Sequence, residues 1–420
     1  MNPLERDFFT DPELMRDPTP YYRAQHEQGP IFQESFKDVF MVSGLEEVLG
    51  IYADHESFSA VVAPLGPFVP LPERAPGESV AEMLESRGSE IPLSGQLFTL
   101  DPPEHSRHRS LLGRLMTPNR LKDNEAFMGR LATELVDEFA DAGSVEICHD
   151  FAAPFTLLVI ADLLGVPEED HRTFRSWLGS AAPSSLGVGE DDQVDAGGGD
   201  RVFANLHPYF QRYVEDRRES PRGDVLTQLA QVRFPDGELP EVGDIVTIAA
   251  TLFAAGQETT ARLIATGMRI LAERPELART LRRDPTAIPR FVDECLRLES
   301  PIKGAFRLVL RDTTIAGVEV PEGAIVMAMN GAANRDPRVF DRPEEFDLSR
   351  RSAHNHIAFG HGEHFCPGAS LARAEARVAF ECLLNRLDEI ELADPGALTY
   401  ANSFIIRGLE RLDLVFKPRT

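Results

Sequence analysis

From residue 119 onward, apolar positions recur at the helical period over long windows: 124–142, 152–164, 244–273 and 369–387. The third window, closed by Pro275, predicts about 30 residues of helix, roughly 45 Å long at 1.5 Å per residue. The first hundred residues mix short helical patterns with strand-like runs such as Val39-Phe40-Met41-Val42. Strand signals return at 314–320 and 324–329, with Pro321–Gly323 as the expected turn. Two stretches carry no regular pattern. Residues 63–95 hold six prolines, and residues 181–200 are rich in glycine and acid, which suits linkers or loops over a binding site. There is no internal repeat and no clean boundary. The pattern predicts a single unit over residues 1–420, mainly α with small β-sheets, its β-rich portion mainly within 30–100 and 300–330.

Bulk properties narrow the class. The chain has 420 residues and a net charge of −25, which argues against nucleic acid or an anionic membrane surface as partner. The acidic start MNPLERDFFTDPEL has no apolar core, and the apolar runs near 155–161 and 245–256 are too short to cross a bilayer. Four cysteines without framework spacing fit a reducing compartment. A cytoplasmic protein is expected.

The chemistry concentrates in Phe359-Gly360-His361-Gly362-Glu363-His364-Phe365-Cys366-Pro367-Gly368, ahead of a strong helix. Two glycines two apart permit a tight loop or close approach to a flat ligand. Cys366 then falls at a helix start, with Pro367 suited to the first helical position. Unpaired N–H groups there favour a thiolate, and a thiolate is a good axial ligand for iron. A lone cysteine is more often a small buried hydrophobe. His354, His356, His361 and His364 with Cys366 offer a zinc alternative, although none of their spacings matches a standard zinc site.

The complete ten-residue pattern resembles the haem-binding loop of the cytochrome P-450 family at Phe359, Gly360, Gly362, His364, Cys366 and Gly368. A second segment, Ala254-Ala255-Gly256-Gln257-Glu258-Thr259-Thr260, lies in the middle of the predicted long helix. Glycine followed by two threonines is poor helix sequence, and small residues at 255 and 256 leave room for a ligand. This segment resembles the family's oxygen-activation motif, which implies that Thr259 bonds to bound oxygen and Glu258 supplies protons. Glu-x-x-Arg occurs seven times in the chain. Only Glu294–Arg297 falls where the resemblance expects a buried structural ion pair, with Arg350 as third member.

The resemblance implies one mainly helical domain with haem b between the long helix and the cysteine loop. Haem propionates would be held by His105, Arg109, Arg307 and His364, with Phe359, Gly360, Gly368 and Ala255 close to the ring. Some relatives carry an acid just before the Arg307 position, where this chain has Gly304-Ala305-Phe306. The implied reaction inserts one atom of O2 into a C–H bond, with NAD(P)H electrons arriving through a separate acidic ferredoxin and its reductase. No fused reductase is expected, and the protein should act as a monomer. An H2O2-driven peroxygenase and a non-catalytic haem sensor or carrier are the alternatives. Leu93, Ala254, Lys303, Phe306, Phe404 and Ile405 are the expected substrate wall, mostly apolar and suited to a terpenoid, steroid or fatty-acid-like molecule; Lys303 either meets a substrate carboxylate or carbonyl or snorkels to solvent or a propionate. Between His105 and Lys122 stand five cations and no acid. The resemblance places this stretch beside the haem's cysteine side, which makes Arg114, Arg120, Lys122 and Arg373 the expected ferredoxin dock.

Overall fold

Strands from the two ends of the chain meet in one sheet. In the computed structural model, which describes residues 2–113, 116–178 and 197–419, the strands are β1 (Ile31–Gln33), β2 (Phe40–Val42), β3 (Phe58–Ser59), β4 (Ala305–Val309) and β5 (Ile325–Ala328). Their order is β1-β2-β5-β4-β3. Only β2 and β5 run parallel, with Phe40 opposite Val326. In β4 the alternation of a pleated strand sends Phe306 and Leu308 into an apolar cluster with Phe8, Phe9 and Phe404, while Ala305 and Arg307 turn to the opposite side, onto a cavity wall.

Three expectations need correction here. Residues 314–320 form two strands, Thr313–Ile315 and Val318–Val320, folded back at Ala316–Gly317, where φ is +48° and +83°. Positive φ at both central residues is what a tight hairpin needs, so a further turn precedes the expected one at Pro321–Gly323, where the Ala324 N–H donates to Pro321 O at 3.1 Å. Residues 63–95 are not wholly irregular, because Val80–Arg87 is a helix with a Ser79–Glu82 capping box; that Ser-x-x-Glu signature was visible in the sequence. A further sheet joins Ser144–Glu146, Asp413–Pro418 and Leu387–Leu392, outside the ranges expected to be β-rich. Most of the 181–200 stretch lies outside the described residues.

Helices make up most of the remainder. Those that frame the cavity or pack behind it are α1 (Glu104–Leu112), α2 (Pro118–Asp137), α3 (Ala153–Leu164), α4 (Gly197–Glu219), α5 (Val242–Glu273), α6 (Ile288–Leu298) and α7 (Ala369–Arg386). The long helix α5 begins at a capping box between Glu241 and Asp244 and stops two residues before Pro275, as the pattern predicts. It packs on α3, α4 and α7. Nearly every residue of α3 is buried, as befits a helix apolar on all sides. Where α5 crosses α7, Gly267 is required. A Cβ there would lie 2.3 Å from the Phe380 ring.

Glu294 and Arg297, both 0% exposed, form a two-pronged ion pair: Arg297 Nε donates to Glu294 Oε2 at 2.8 Å and Nη2 to Oε1 at 2.9 Å. Arg350 Nε donates to the same Oε1 at 3.0 Å. The remaining Arg297 donors reach the carbonyls of Asn334, Pro343 and Glu345. With every donor satisfied, removing one member leaves uncompensated buried charge. Arg297→Met is therefore expected to cost about 3–5 kcal/mol, read as a lower denaturant midpoint at unchanged slope. A loss under about 1 kcal/mol would mean the network adds no more than a surface pair.

Candidate active site

A cavity of about 340 Å³ opens between α5 and the cysteine loop, walled by apolar side chains from α3, the 91–100 loop and the 301–307 segment. On one side stand Ala255, Gly256 and Thr259. On the other stand Phe359, Gly360, Cys366 and Gly368.

The cysteine loop is held by its own backbone. Cys366 N–H donates to Phe359 O at 2.9 Å. Gly362 has φ +67°, and a Cβ on it would lie 2.4 Å from the Tyr52 carbonyl, so only glycine fits this turn. The expected helix start shifts: α7 begins at Ala369 with Gly368 as its N-cap, leaving Pro367 outside the helix. Burial pushes the Cys366 thiol up, while the Gly368 N–H, Arg109 and Arg373 pull it down. On α5, Thr259 Oγ1 donates to Ala255 O at 3.0 Å, yet the helix runs unbroken through this point. A Cβ on Gly256 would meet only Ile160, at an ordinary 3.6 Å. Protein packing does not demand this glycine, which leaves ligand space as its reason.

Next to Cys366 the chain gathers positive charge without acids to match. The His105 and His364 rings lie against each other, centroids 4.1 Å apart and planes tilted by 37°. Both ring nitrogens of His105 are buried without a hydrogen-bond partner, and the nearest carboxylate, Glu363, is 3.9 Å away. Buried Arg307 spends one donor on Phe306 O and lies over the Tyr52 ring. Arg109 Nη2 donates to Phe365 O at 2.5 Å. Burial and then the charges of Arg307, His105 and Arg109 push His364 down to about 3. Burial chiefly, with Arg109 second, lowers His105. Orphaned donors of this kind call for an anion. Two carboxylates on a flat macrocycle, with a sulfur beneath it, satisfy them, so the residues present fit haem. Among the described residues no three His, Cys, Asp or Glu side chains could hold a metal ion between them, so the zinc alternative finds no ligand set there.

These observations meet one family. Residues 199–394 match the family model Cytochrome P450. The chain is 33% identical over 409 residues to Cytochrome P450 144 of Mycobacterium tuberculosis, covering 97% of this chain and 90% of that one. The chain belongs to the cytochrome P450 family. Its members are haem monooxygenases that use O2. The structure of CYP150A6 from Mycobacterium marinum, in its substrate-free form, superposes on this P450 with a TM-score of 0.91 at 43% identity, all of both chains covered. A further relative is the vitamin D(3) 25-hydroxylase of Pseudonocardia autotrophica, 35% identical over 77% of this chain and 78% of its own. No helix among the described residues is long and apolar enough to cross a membrane.

Several residues singled out in the sequence lie elsewhere in this P450. Leu93, Phe306, Phe404 and Ile405 pack in the apolar cluster behind the sheet and do not line the cavity. Ala254 likewise is off the wall, one residue round the helix from Ala255. Their places are taken by Leu97, Phe98, Leu252, Ile302 and Ala305, together with Thr251, whose hydroxyl donates to Gln96 Oε1 at 2.7 Å. Glu258 is also absent from the wall; it accepts from Arg262 Nη2 at 2.9 Å, and Arg262 is itself tied to Leu409 O. The expected basic dock is partly paired within the protein among the described residues. Arg107 is paired with Asp236 and Glu238, Arg120 with Leu163 O and Gln228, and Arg373 with Asp293. Lys122 remains exposed, and Arg114 lies outside the described residues.

Lys303 neither reaches the cavity nor snorkels outward. It is 1% exposed, and Nζ donates to Ser403 O at 2.7 Å. Burial, with Arg407 second, pushes its ammonium well below the usual range. Because the unfolded lysine keeps its proton up to about pH 10 and the folded one loses it earlier, wild type loses stability as pH falls through that window. Lys303→Met escapes this penalty, so the stability difference should move in favour of the variant on acidification. Its affinity for acidic and neutral ligands should be unchanged; a weakened acidic ligand would return Lys303 to the pocket.

Proposed function

We propose that this P450 hydroxylates an unactivated C–H bond of a lipophilic small molecule, drawing electrons from a separate ferredoxin and its reductase. The observation that carries the reading is one apolar cavity holding Cys366 on one wall and Ala255, Gly256 and Thr259 on the other. Cys366 would ligate the iron, and His105, Arg109, Arg307 and His364 would hold the propionates. Haem so ligated supplies the O–O cleavage from which one oxygen atom passes to substrate. Thr259 presents a hydroxyl able to hold and pass on a proton at Oγ1. The apolar wall excludes water and favours a steroid-, terpenoid- or fatty-acid-like ligand. The relative named for vitamin D(3) hydroxylation supports that class. Phe365, 44% exposed beside Cys366, offers the electron donor an apolar contact. Among the described residues, Arg120, bonded only to neutral oxygens, and exposed Lys122 would provide charge attraction.

The test is spectroscopic. The reduced, carbon-monoxide-bound protein should show the red-shifted Soret band of thiolate ligation, and Cys366→His should lose it. An intact spectrum in Cys366→Ser would overturn the ligand assignment. In Thr259→Ala, reductant consumption should continue while product falls and H2O2 rises; unchanged coupling would reduce Thr259 to a packing residue.

A further inference from the structure

Four hydroxyls stand on the cavity wall among the described residues, those of Tyr52, Thr251, Thr259 and Thr260. Three are committed near the site already described. Tyr52 donates to Asn330 Oδ1, Thr259 to Ala255 O, and Thr260 to the Glu375 carboxyl. Thr251 stands apart. It lies two turns of α5 before Thr259 and shares the wall with it, since 251, 255 and 259 are spaced by four. Eight residues at 1.5 Å each separate the two threonines by about 12 Å along the helix.

A threonine inside a helix ordinarily returns its proton to the carbonyl four residues back, as Thr259 does with Ala255 O and Thr156 with Ala152 O. Thr251 instead donates to Gln96 Oε1 at 2.7 Å, in a loop 155 residues away in sequence. The backbone of that loop holds Gln96 in place. Its N–H donates to Leu93 O at 3.0 Å, and its carbonyl accepts from the N–H groups of Thr99 and Leu100 at 2.9 and 3.2 Å. Gln96 itself does not line the cavity; it orients Thr251 from behind.

Packing does not ask for this polar pair. The wall around it is Leu97, Phe98 and Leu252, and Thr251 is 7% exposed. Replacing both partners of a buried hydrogen bond by apolar groups of the same shape is close to neutral, so a valine facing a leucine would close the wall as well. What the pair adds is chemical direction. With its one proton held by Gln96, the Thr251 oxygen meets a ligand as an acceptor only. A ligand hydroxyl can donate to it, whereas a ligand carbonyl meets a lone pair and forms no bond.

We propose that Thr251 is a donor-selective anchor, and that the substrate is a lipophilic molecule whose own hydroxyl donates to Thr251 Oγ1. The carbon to be oxidised then lies about 12 Å further along the helix, beside Thr259. Gln96 is the positioning residue that keeps the threonine in its accepting state. The inference rests on the C–H hydroxylase reading of this cavity and narrows its substrate class.

The test is a Soret titration of the haem-loaded enzyme with two steroids, 5α-androstan-3β-ol and 5α-androstan-3-one, which present a hydroxyl or a carbonyl at the same carbon. Wild type should prefer the alcohol. Thr251→Val keeps the side-chain shape and removes the oxygen; it should weaken the alcohol about three- to tenfold and leave the ketone unchanged. Thr251→Ser should restore the alcohol. Gln96→Leu frees the threonine proton, so the ketone should gain on the alcohol. In turnover, wild type should oxidise the alcohol at the end remote from its hydroxyl, and Thr251→Val should spread the product over several positions. Equal losses for both steroids in Thr251→Val would reduce the pair to a tie between loop and helix and overturn the proposal. A wild-type preference for the ketone, or a ratio unmoved by Gln96→Leu, would overturn it too. Failure of the underlying reading looks different: a wild-type Soret band that neither steroid shifts would overturn the lipophilic substrate itself, and the anchor with it.

Discussion

The Glu294 carboxylate, shared between Arg297 and Arg350, fixes the position of everything around the cysteine. Arg297 also donates to the Asn334 carbonyl. The Asn334 side chain donates to Ser300 Oγ and accepts from the Ile357 N–H at 2.7 Å. Ile357 stands two residues before Phe359, whose carbonyl receives the Cys366 N–H. Hydrogen bonds joined by the short backbone stretch from Ile357 to Phe359 thus connect the interior of α6 to the Cys366 N–H. A buried ion pair is a poor source of net stability, but its directional bonds can hold a loop in one place.

Charge is buried in two contrasting ways. Around Glu294 it is closed, with each donor matched inside the protein. Around His105, Arg307 and His364 it is open, with imidazoles forced neutral and donors left over. The open cluster costs stability in the protein alone. An anionic ligand would recover that cost on binding and so stabilise the fold by mass action. On the same cavity wall, burial drives the Glu375 carboxyl of α7 toward its neutral form, the same cost with the opposite sign.

The cysteine loop and the threonine segment were legible because their chemistry is written in consecutive residues. So was the long helix, whose period and terminal proline fall within about two residues of its ends. The substrate wall was not. Large apolar residues were chosen at 306, 404 and 405, where size points as readily to core as to pocket. Strand alternation alone would have excluded Phe306 once Arg307 was assigned to the haem. The basic stretch after His105 is less bare than its sequence reads: Asp236 and Glu238, which pair with Arg107, lie more than a hundred residues further on. Glu375 left no signal, since its burial arises only where α5 crosses α7. The helix within residues 63–95 was readable and was overlooked beneath its prolines.

The sheet imposes a wait on the growing chain. β1, β2 and β3 are complete by Ser59, but β2 and β3 pair with strands that begin at Ala305. At ribosomal speeds of 5–20 residues per second, the intervening stretch takes roughly 12–50 s to synthesise. Throughout that interval the three early strands keep open edges, the kind of surface that recruits other chains. Their shortness, two or three residues each, gives a neighbouring nascent chain little to grip.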